Sequence, residues 1–318
     1  MESKDLYLLR RGLFLAIIAA VMLFAVLIPT TDAQRPGETV RIGMAKSILR
    51  DVPDPMVKLL MVPFNSLMQT HTGLRGKIDL VDDPILLAEQ MEKKELQLGV
   101  FHGFEFAWAR QQNPKLKPLM IAVNRDRHLF AHLVTRSDND AKDLRDFKGQ
   151  HVAIPIRTRG HCRLWLERHC NNSGLAPEQF FTKIVRHKNV ERALDDIVRG
   201  RVQCIVVDDR ALNCYKRVKP GCYRRLRILE RSKAFPAAVI AYRDGKVNDA
   251  MIRRFRSGMI QANSNSRSRQ LMSMWNLTAF EPVPADYEST LVAILRDYPA
   301  PGAKGKLLVN SGTKSMMD

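Results

Sequence analysis

Three observations predict an α/β chain folded into two lobes. Short apolar β-like runs alternate with stretches of helical periodicity along most of the chain. That alternation occurs twice in the same order, once before and once after about residue 130. Finally, 318 residues with 45% hydrophobic and 26% charged side chains can bury a core in two domains without metal or disulfide staples. The same composition excludes a disordered or fibrous chain. Alternating elements imply parallel sheets with helices on both faces, and two such units imply a cleft between them.

The first residues stand apart from this pattern. Lys4, Arg10 and Arg11 precede an uncharged apolar run of 17 residues, Gly12 to Ile28, followed by Pro29 and Thr31-Asp32-Ala33-Gln34. This is the layout of an export signal. The run is longer than the roughly 7 to 15 residues of a cleaved signal and shorter than the roughly 20 of a comfortable membrane span. Residues 1–33 therefore suit either a signal peptide cut after Ala33 or a retained N-terminal membrane anchor. Their three bases are balanced by Glu2, Asp5 and Asp32, so the net charge of +18 belongs to the rest of the chain. Such an excess draws an anionic partner.

The elements follow in order. Thr39 to Met44 predicts a strand, Pro55 to Thr72 a helix disturbed by Pro63, and Lys77 to Val81 a strand. Asp83-Pro84 opens a helix through Lys94, and Leu96 to Phe101 is another strand. The second unit starts at Gln150 with a strand to Pro155 and a helix from about His161 to Asn171, stopped by Gly174. A strand follows at Lys183 to Arg186, then a helix with Val190, Ala193, Leu194, Ile197 and Val198 on one face, closed by Gly200. A strand from Val202 to Asp208 ends the unit.

Export would permit disulfides, and five cysteines leave at least one thiol free. Cys162 and Cys170 would lie about 12 Å apart along a helix, too far for a disulfide or a shared zinc. With Trp165, Leu166 and His169 they form the buried stripe of an amphipathic helix. Cys204 falls within an apolar strand. Cys214 and Cys222 flank Lys219-Pro220-Gly221, a turn expected to join them in a disulfide.

Ligands of open α/β sheets sit beyond the carboxyl ends of the strands. The loops at Met44–Arg50, Phe101–Glu105, Ile156–His161 and Asp208–Leu212 are therefore the candidates for a binding site.

The order of segments carries a resemblance over about Thr39 to Pro299. VRIGMAKS resembles the first strand and binding loop of the periplasmic phosphonate- and phosphate-binding proteins of ABC transporters, and ILLAEQMEKKELQLGVFHGFEFAWA resembles their helix, strand and Gly-containing loop. AHLVTRSD with DLRDFKGQHVAIP is similar to the crossover into lobe two. HKNVERALDDIVRGRVQCIVVDD is similar to a His-containing loop and helix leading to a strand that ends in Asp, and NLTAFEPVPADYESTLVAIL to the C-terminal docking segment.

The resemblance implies the type 2 periplasmic binding fold, α/β and two-lobed, with a ligand cleft between the lobes. Lobe one would comprise residues 39–130 plus 236–299 and lobe two residues 133–235, with residues 300–318 as a C-terminal tail. The implied function is a periplasmic or extracytoplasmic solute-binding protein that closes on a small oxyanion of phosphonate or phosphate type and presents it to a membrane permease. No cofactor or metal is expected.

The family's anion loop, a Ser/Thr-rich turn before a helix, is occupied here by Arg157-Thr158-Arg159-Gly160-His161. Gly160 permits a tight turn, the following helix N-terminus favours an anion, and each guanidinium could grip an oxyanion with two hydrogen bonds. By position, the resemblance also implies His187 as an oxyanion donor and Asp208 as a receiver for a cationic group. Ser47, His102 and Gly103 occupy the strand-end loops of lobe one, with His102 where the family often has a small residue.

Two other classes of function compete. From His151 to Lys233 there are 19 Lys and Arg against 8 Asp and Glu, and Lys216 to Lys233 holds eight bases and one Glu beside Tyr215 and Tyr223. Such a strip could follow a polyanion or an anionic membrane, although no nucleic-acid-binding motif accompanies it. A ligand-sensing domain without transport is the other alternative to a transporter component. An enzyme is disfavoured, since H-E-x-x-H, C-x-x-C, the phosphate loop and G-x-S-x-G are all absent.

Overall fold

The computed structural model describes residues 38–301 apart from 50, 51, 53 and 157. The export segment 1–33, Arg157 and the tail beyond residue 301 lie outside the described residues. β1 (Thr39–Ala45) is buried on both faces from Ile42 onward, the pattern of a central strand covered on each side. After a short 3-10 turn, Lys46–Leu49, the chain enters α1 (Asp54–Thr72). Pro63 lies inside α1 without ending it. The lost backbone hydrogen bond is offset by the burial of Val57, Phe64, Leu67 and Met68.

β2 (Arg75–Val81) leads to α2 (Pro84–Glu92), where Asp83 accepts the Ile85 and Leu86 N–H groups at 2.7 and 3.0 Å and Pro84 takes the first helical position. β3 (Leu98–Phe101), α3 (Gly103–Gln112) and β4 (Leu116–Val123) follow. The chain then crosses to the second lobe through β5 (His128–Leu129) and β6 (Ala131–Arg136). There it forms β7 (His151–Ala153), α4 (Gly160–Asn172), β8 (Lys183–Val185), α5 (Val190–Val198), β9 (Cys204–Asp208), α6 (Asp209–Val218) and β10 (Leu226–Arg231). It returns through β11 (Phe235–Pro236) to β12 (Ala238–Arg243), α7 (Asp249–Gln261), α8 (Ser266–Met274), β13 (Ala279–Glu281) and α9 (Tyr287–Asp297).

The strands divide into two principal sheets. One has six strands in the order β13-β4-β12-β3-β1-β2, the other five in the order β10-β6-β9-β7-β8. The two crossings pair with each other as a short antiparallel ribbon, Leu129 opposite Phe235 and His128 opposite Pro236. The sheets are mixed, which corrects the expectation of purely parallel ones. β1 is parallel to β2 and β3, and β7 to β8 and β9, but β12 is antiparallel to β3 and β4, and β6 is antiparallel to β9 and β10. β6 and β12 are the strands that directly follow the two crossings, and β13 adds a further antiparallel pair with β4 at the sheet edge.

One buried cluster contains Phe101 and Phe104 from the first sheet's side, Trp165 and Cys204 from the second, and Phe235 from the returning crossing. Cys162, Cys170 and Cys204 are buried as expected. The expected Cys214–Cys222 disulfide is absent, both being free thiols. α6 runs on to Val218, holding Cys214 on an exposed helical face, while Cys222 turns inward against the cluster that contains Tyr215.

Candidate functional site

The loop from Pro155 to Gly160 is stiffened by its own hydrogen bonds. The Thr158 N–H and hydroxyl both donate to the Pro155 carbonyl, at 2.9 and 2.7 Å. Arg163, one turn into α4, reaches back to donate to the Thr158 carbonyl at 3.1 Å and the Ile156 carbonyl at 2.5 Å. Arg159 is the N-cap of α4, with extended backbone and no side-chain bond of its own to the helix. The first-turn amides of α4 therefore point outward with the positive end of the helix dipole, where an anion is favoured.

The Arg159 guanidinium is fixed from the neighbouring strand end. Its Nε lies 2.6 Å from Asp208 Oδ2, and Asp208 Oδ1 accepts the Ala211 N–H at 2.8 Å as the cap of α6. Both Asp208 oxygens are thus engaged, one by Arg159 and the other by the α6 cap, with acceptor capacity left on each. Its partner is Arg159 rather than its sequence neighbour Arg210.

Lobe one meets this loop with the start of α3. His102 caps that helix and stacks on Phe104, ring centroids 5.3 Å apart and planes at 9°. Its N–H donates to the Glu105 carboxylate at 3.3 Å. A side chain at Gly160 would place its Cβ 3.3 Å from both His102 Nε2 and Phe104 Cζ. The N-terminal ends of α3 and α4 therefore face each other across the two lobes. Gly103 is packed tighter still, since a Cβ there would come within 2.6 Å of the Pro236 and Ala237 carbonyl oxygens. His102 Nε2 and Ser47 Oγ are buried polar atoms without a hydrogen-bond partner among the described residues.

Two predicted histidines point elsewhere. His161 is buried with its Nε2 3.4 Å from the Phe130 carbonyl oxygen and its ring 5.5 Å from that of Phe235. It packs on the crossing segments rather than on the loop, because at the second position of α4 its side chain turns into the core. Burial pushes its imidazole down to about 4, against the pull of Asp208 and with the help of the Arg159 charge. The adjacent Cys162 sulfur lies 3.4 Å from His161 Nε2, and burial pushes that thiol well up, which leaves it unreactive. His187 Nε2 lies 3.1 Å from Asp196 of α5, and its carbonyl accepts the Ile156 N–H. It braces the loop from behind. The loop thus gathers Thr158, Arg159, Gly160 and Asp208, with His102 opposite. His161 and His187 support it, while Arg157 lies outside the described residues.

Sequence reasoning missed three features. Phe104 and Arg163 each lie a few residues past a glycine and could have been noted for that. The third is a cavity of about 240 Å³ in lobe two, bounded by Thr158, Arg159 and Asp208 at one side and by side chains of α5, β9 and α6 at the other. It is assembled from three separate segments, so no local motif announces it.

The basic strip is partly neutralised. Lys219 pairs with Asp195 and Glu191 at 2.7 and 3.0 Å, Lys233 with Asp297 at 2.9 Å, and Arg227 donates to the Asn139 and Ala141 carbonyls. No helix among the described residues is long and apolar enough to cross a membrane.

Comparison with known proteins agrees with this layout. PhnD1 of Prochlorococcus marinus, solved in complex with methylphosphonate, is 14% identical with a TM-score of 0.55 over 82% of this chain and 98% of its own. A Xanthomonas citri protein bound to ATP is 16% identical, with a TM-score of 0.56 over 82% of this chain and 97% of its own. A binding protein component of an ABC phosphonate transporter from Pseudomonas aeruginosa is 13% identical, with a TM-score of 0.50 over 86% and 94%. These likenesses show the fold, the two-lobed type 2 periplasmic binding fold with its cleft between the lobes. No curated protein matches in sequence. The family model for the periplasmic substrate-binding protein of ABC phosphonate transporters matches residues 52–287, and the chain belongs to that family.

Proposed function

We propose that this protein captures a small oxyanion of phosphonate or phosphate type between its lobes and delivers it to the membrane permease of an ABC transporter. In this reading residues 39–130 and 236–299 make lobe one, residues 133–235 make lobe two, and the β5–β11 ribbon is the hinge. The observation that carries it is the meeting of two helix N-termini from opposite lobes, with Arg159 held beside them by Asp208. The α4 amides and the remaining Arg159 N–H groups take the oxyanion in lobe two. His102 Nε2 and Ser47 Oγ, buried without partners, complete its coordination from lobe one as the cleft closes. Family membership supports a substrate-binding component rather than an enzyme, and the methylphosphonate complex of a protein with the same fold supports the ligand class.

Isothermal titration of the exported portion with methylphosphonate, phosphate, phosphite and sulfate tests the reading. Saturable binding of a phosphorus oxyanion is expected. Failure of all of them to bind, with no shift in melting temperature, would overturn it.

A further inference from the structure

The cavity beside the anion loop is chemically two-sided. On one side it is bounded by Thr158, Arg159 and Asp208, of which Arg159 belongs to the oxyanion grip and Asp208 holds that guanidinium in place. The rest of its lining is mainly hydrocarbon, from Val190 and Leu194 of α5, Val207 of β9, and Ala211 and Val218 of α6, with Glu191, Arg210 and Tyr215 as its further polar members. Inorganic phosphate or methylphosphonate has no group that could use such a wall, and water held there gains few hydrogen-bond partners. A space of about 240 Å³ against that wall suits several carbon atoms.

We propose that this cavity receives the hydrocarbon arm of an organic oxyanion whose phosphoryl group sits at the N-terminus of α4. The ligand class is a phosphonate or phosphate monoester bearing an uncharged alkyl or aryl substituent. The inference rests on the oxyanion-binding reading above and deepens it by naming what is attached to the anion. The far end of the cavity is open, since Val218 is 56% exposed and Cys214, also on the wall, is exposed. A long chain can therefore emerge past Val218, and the site selects for apolar substituents without a sharp upper length.

The test is a titration series from methyl- through propyl-, pentyl- and phenylphosphonate, with pentyl phosphate as the ester arm. Affinity is expected to rise by up to roughly fourfold per added methylene until the chain reaches the open end, the gain for full methylene burial. Cys214 supplies an independent readout. Its alkylation by iodoacetamide, followed by peptide mapping, should slow severalfold with pentylphosphonate bound and stay unchanged with methylphosphonate at equal saturation. Cys214→Phe, which fills the cavity from an exposed position, should flatten the series.

A series in which methylphosphonate binds as well as the longer chains, with Cys214 equally reactive throughout, overturns the inference and leaves the oxyanion reading standing. Absence of binding by every member overturns both. Pentyl phosphate and pentylphosphonate both binding more tightly than methylphosphonate supports the apolar subsite, and a difference between the two shows which head group the grip prefers.

Discussion

The two lobes bring opposite kinds of chemistry to the cleft. Lobe two arrives with its polar groups already engaged: Arg159 on Asp208, Asp208 on the α6 cap, and Arg163 and Thr158 on the carbonyls of their own loop. Lobe one holds two buried polar atoms, Ser47 Oγ and His102 Nε2, without a hydrogen-bond partner among the described residues. A loop fixed by internal bonds pays little ordering cost when an anion docks, so the first encounter belongs to lobe two. In the proposed reading the unpartnered atoms of lobe one gain a hydrogen bond only from a bound ligand, so that closure would depend on occupancy. If that reading holds, the difference separates holding from sensing: one lobe would grip and the other check.

The largest expected effect concerns what joins the lobes. His161 lies against both crossing segments, and burial lowers its imidazole to about 4 from an ordinary value near 6.5. Because the folded protein disfavours the protonated form, the unfolded chain binds more protons between these values. Stability is thus full above about pH 6.5 and falls as the pH drops toward 4, by about 3 kcal/mol in total. Chemical denaturation at pH 7.5, 6, 5 and 4 measures this, and His161→Gln should flatten that part of the curve. An unchanged slope in the variant would remove His161 from the hinge argument.

On the gripping side, Arg159→Ala is expected to weaken binding by about 1.5 to 3 kcal/mol, the scale of a charge-assisted hydrogen bond. Calorimetric titration against the tightest phosphonate checks it, with the melting temperature of the free protein as control. If the lobes divide their work as described, the loss should come mostly as faster ligand release.

On the checking side, His102→Ala should cost about 1 kcal/mol of affinity, the scale of one neutral hydrogen bond. Small-angle scattering should show that its ligand-bound form closes less completely than the parent's. Equal closure in parent and variant would show that lobe one does not sense through His102. Smallest of all is Arg225→Ala, in the exposed part of the basic strip. Small-anion affinity should stay within about 0.5 kcal/mol of the parent, whereas a polyanion binder would lose affinity there and show a steep salt dependence.

Much of this architecture was legible in the sequence because it is local. The Asp83 cap, the Gly174 and Gly200 helix stops with φ of 76° and 71°, and the Cys162–Trp165–Leu166 stripe each follow from a few adjacent residues. Strand direction was not legible, since a short apolar run such as that around β12 reads the same in either orientation. The partner of Asp208 was missed for a related reason. Arg210 is near in sequence, but helix capping turns the carboxylate toward the α4 loop and Arg159. The disulfide expectation at Cys214 and Cys222 failed because Pro220–Tyr223 winds as a short helix directly after the one ending at Val218, leaving Cys214 exposed and Cys222 packed against the Tyr215 cluster.

Gly103 joins the site to the rest of the machine. Its Cα presses against the Pro236 and Ala237 carbonyls, leaving no room for even a methyl group. The first turn of α3, which His102 caps, and the returning crossing are consequently in direct contact, so neither can shift far without the other. In the proposed reading, that contact is what would let occupancy of a buried site reach the outline presented to a membrane permease.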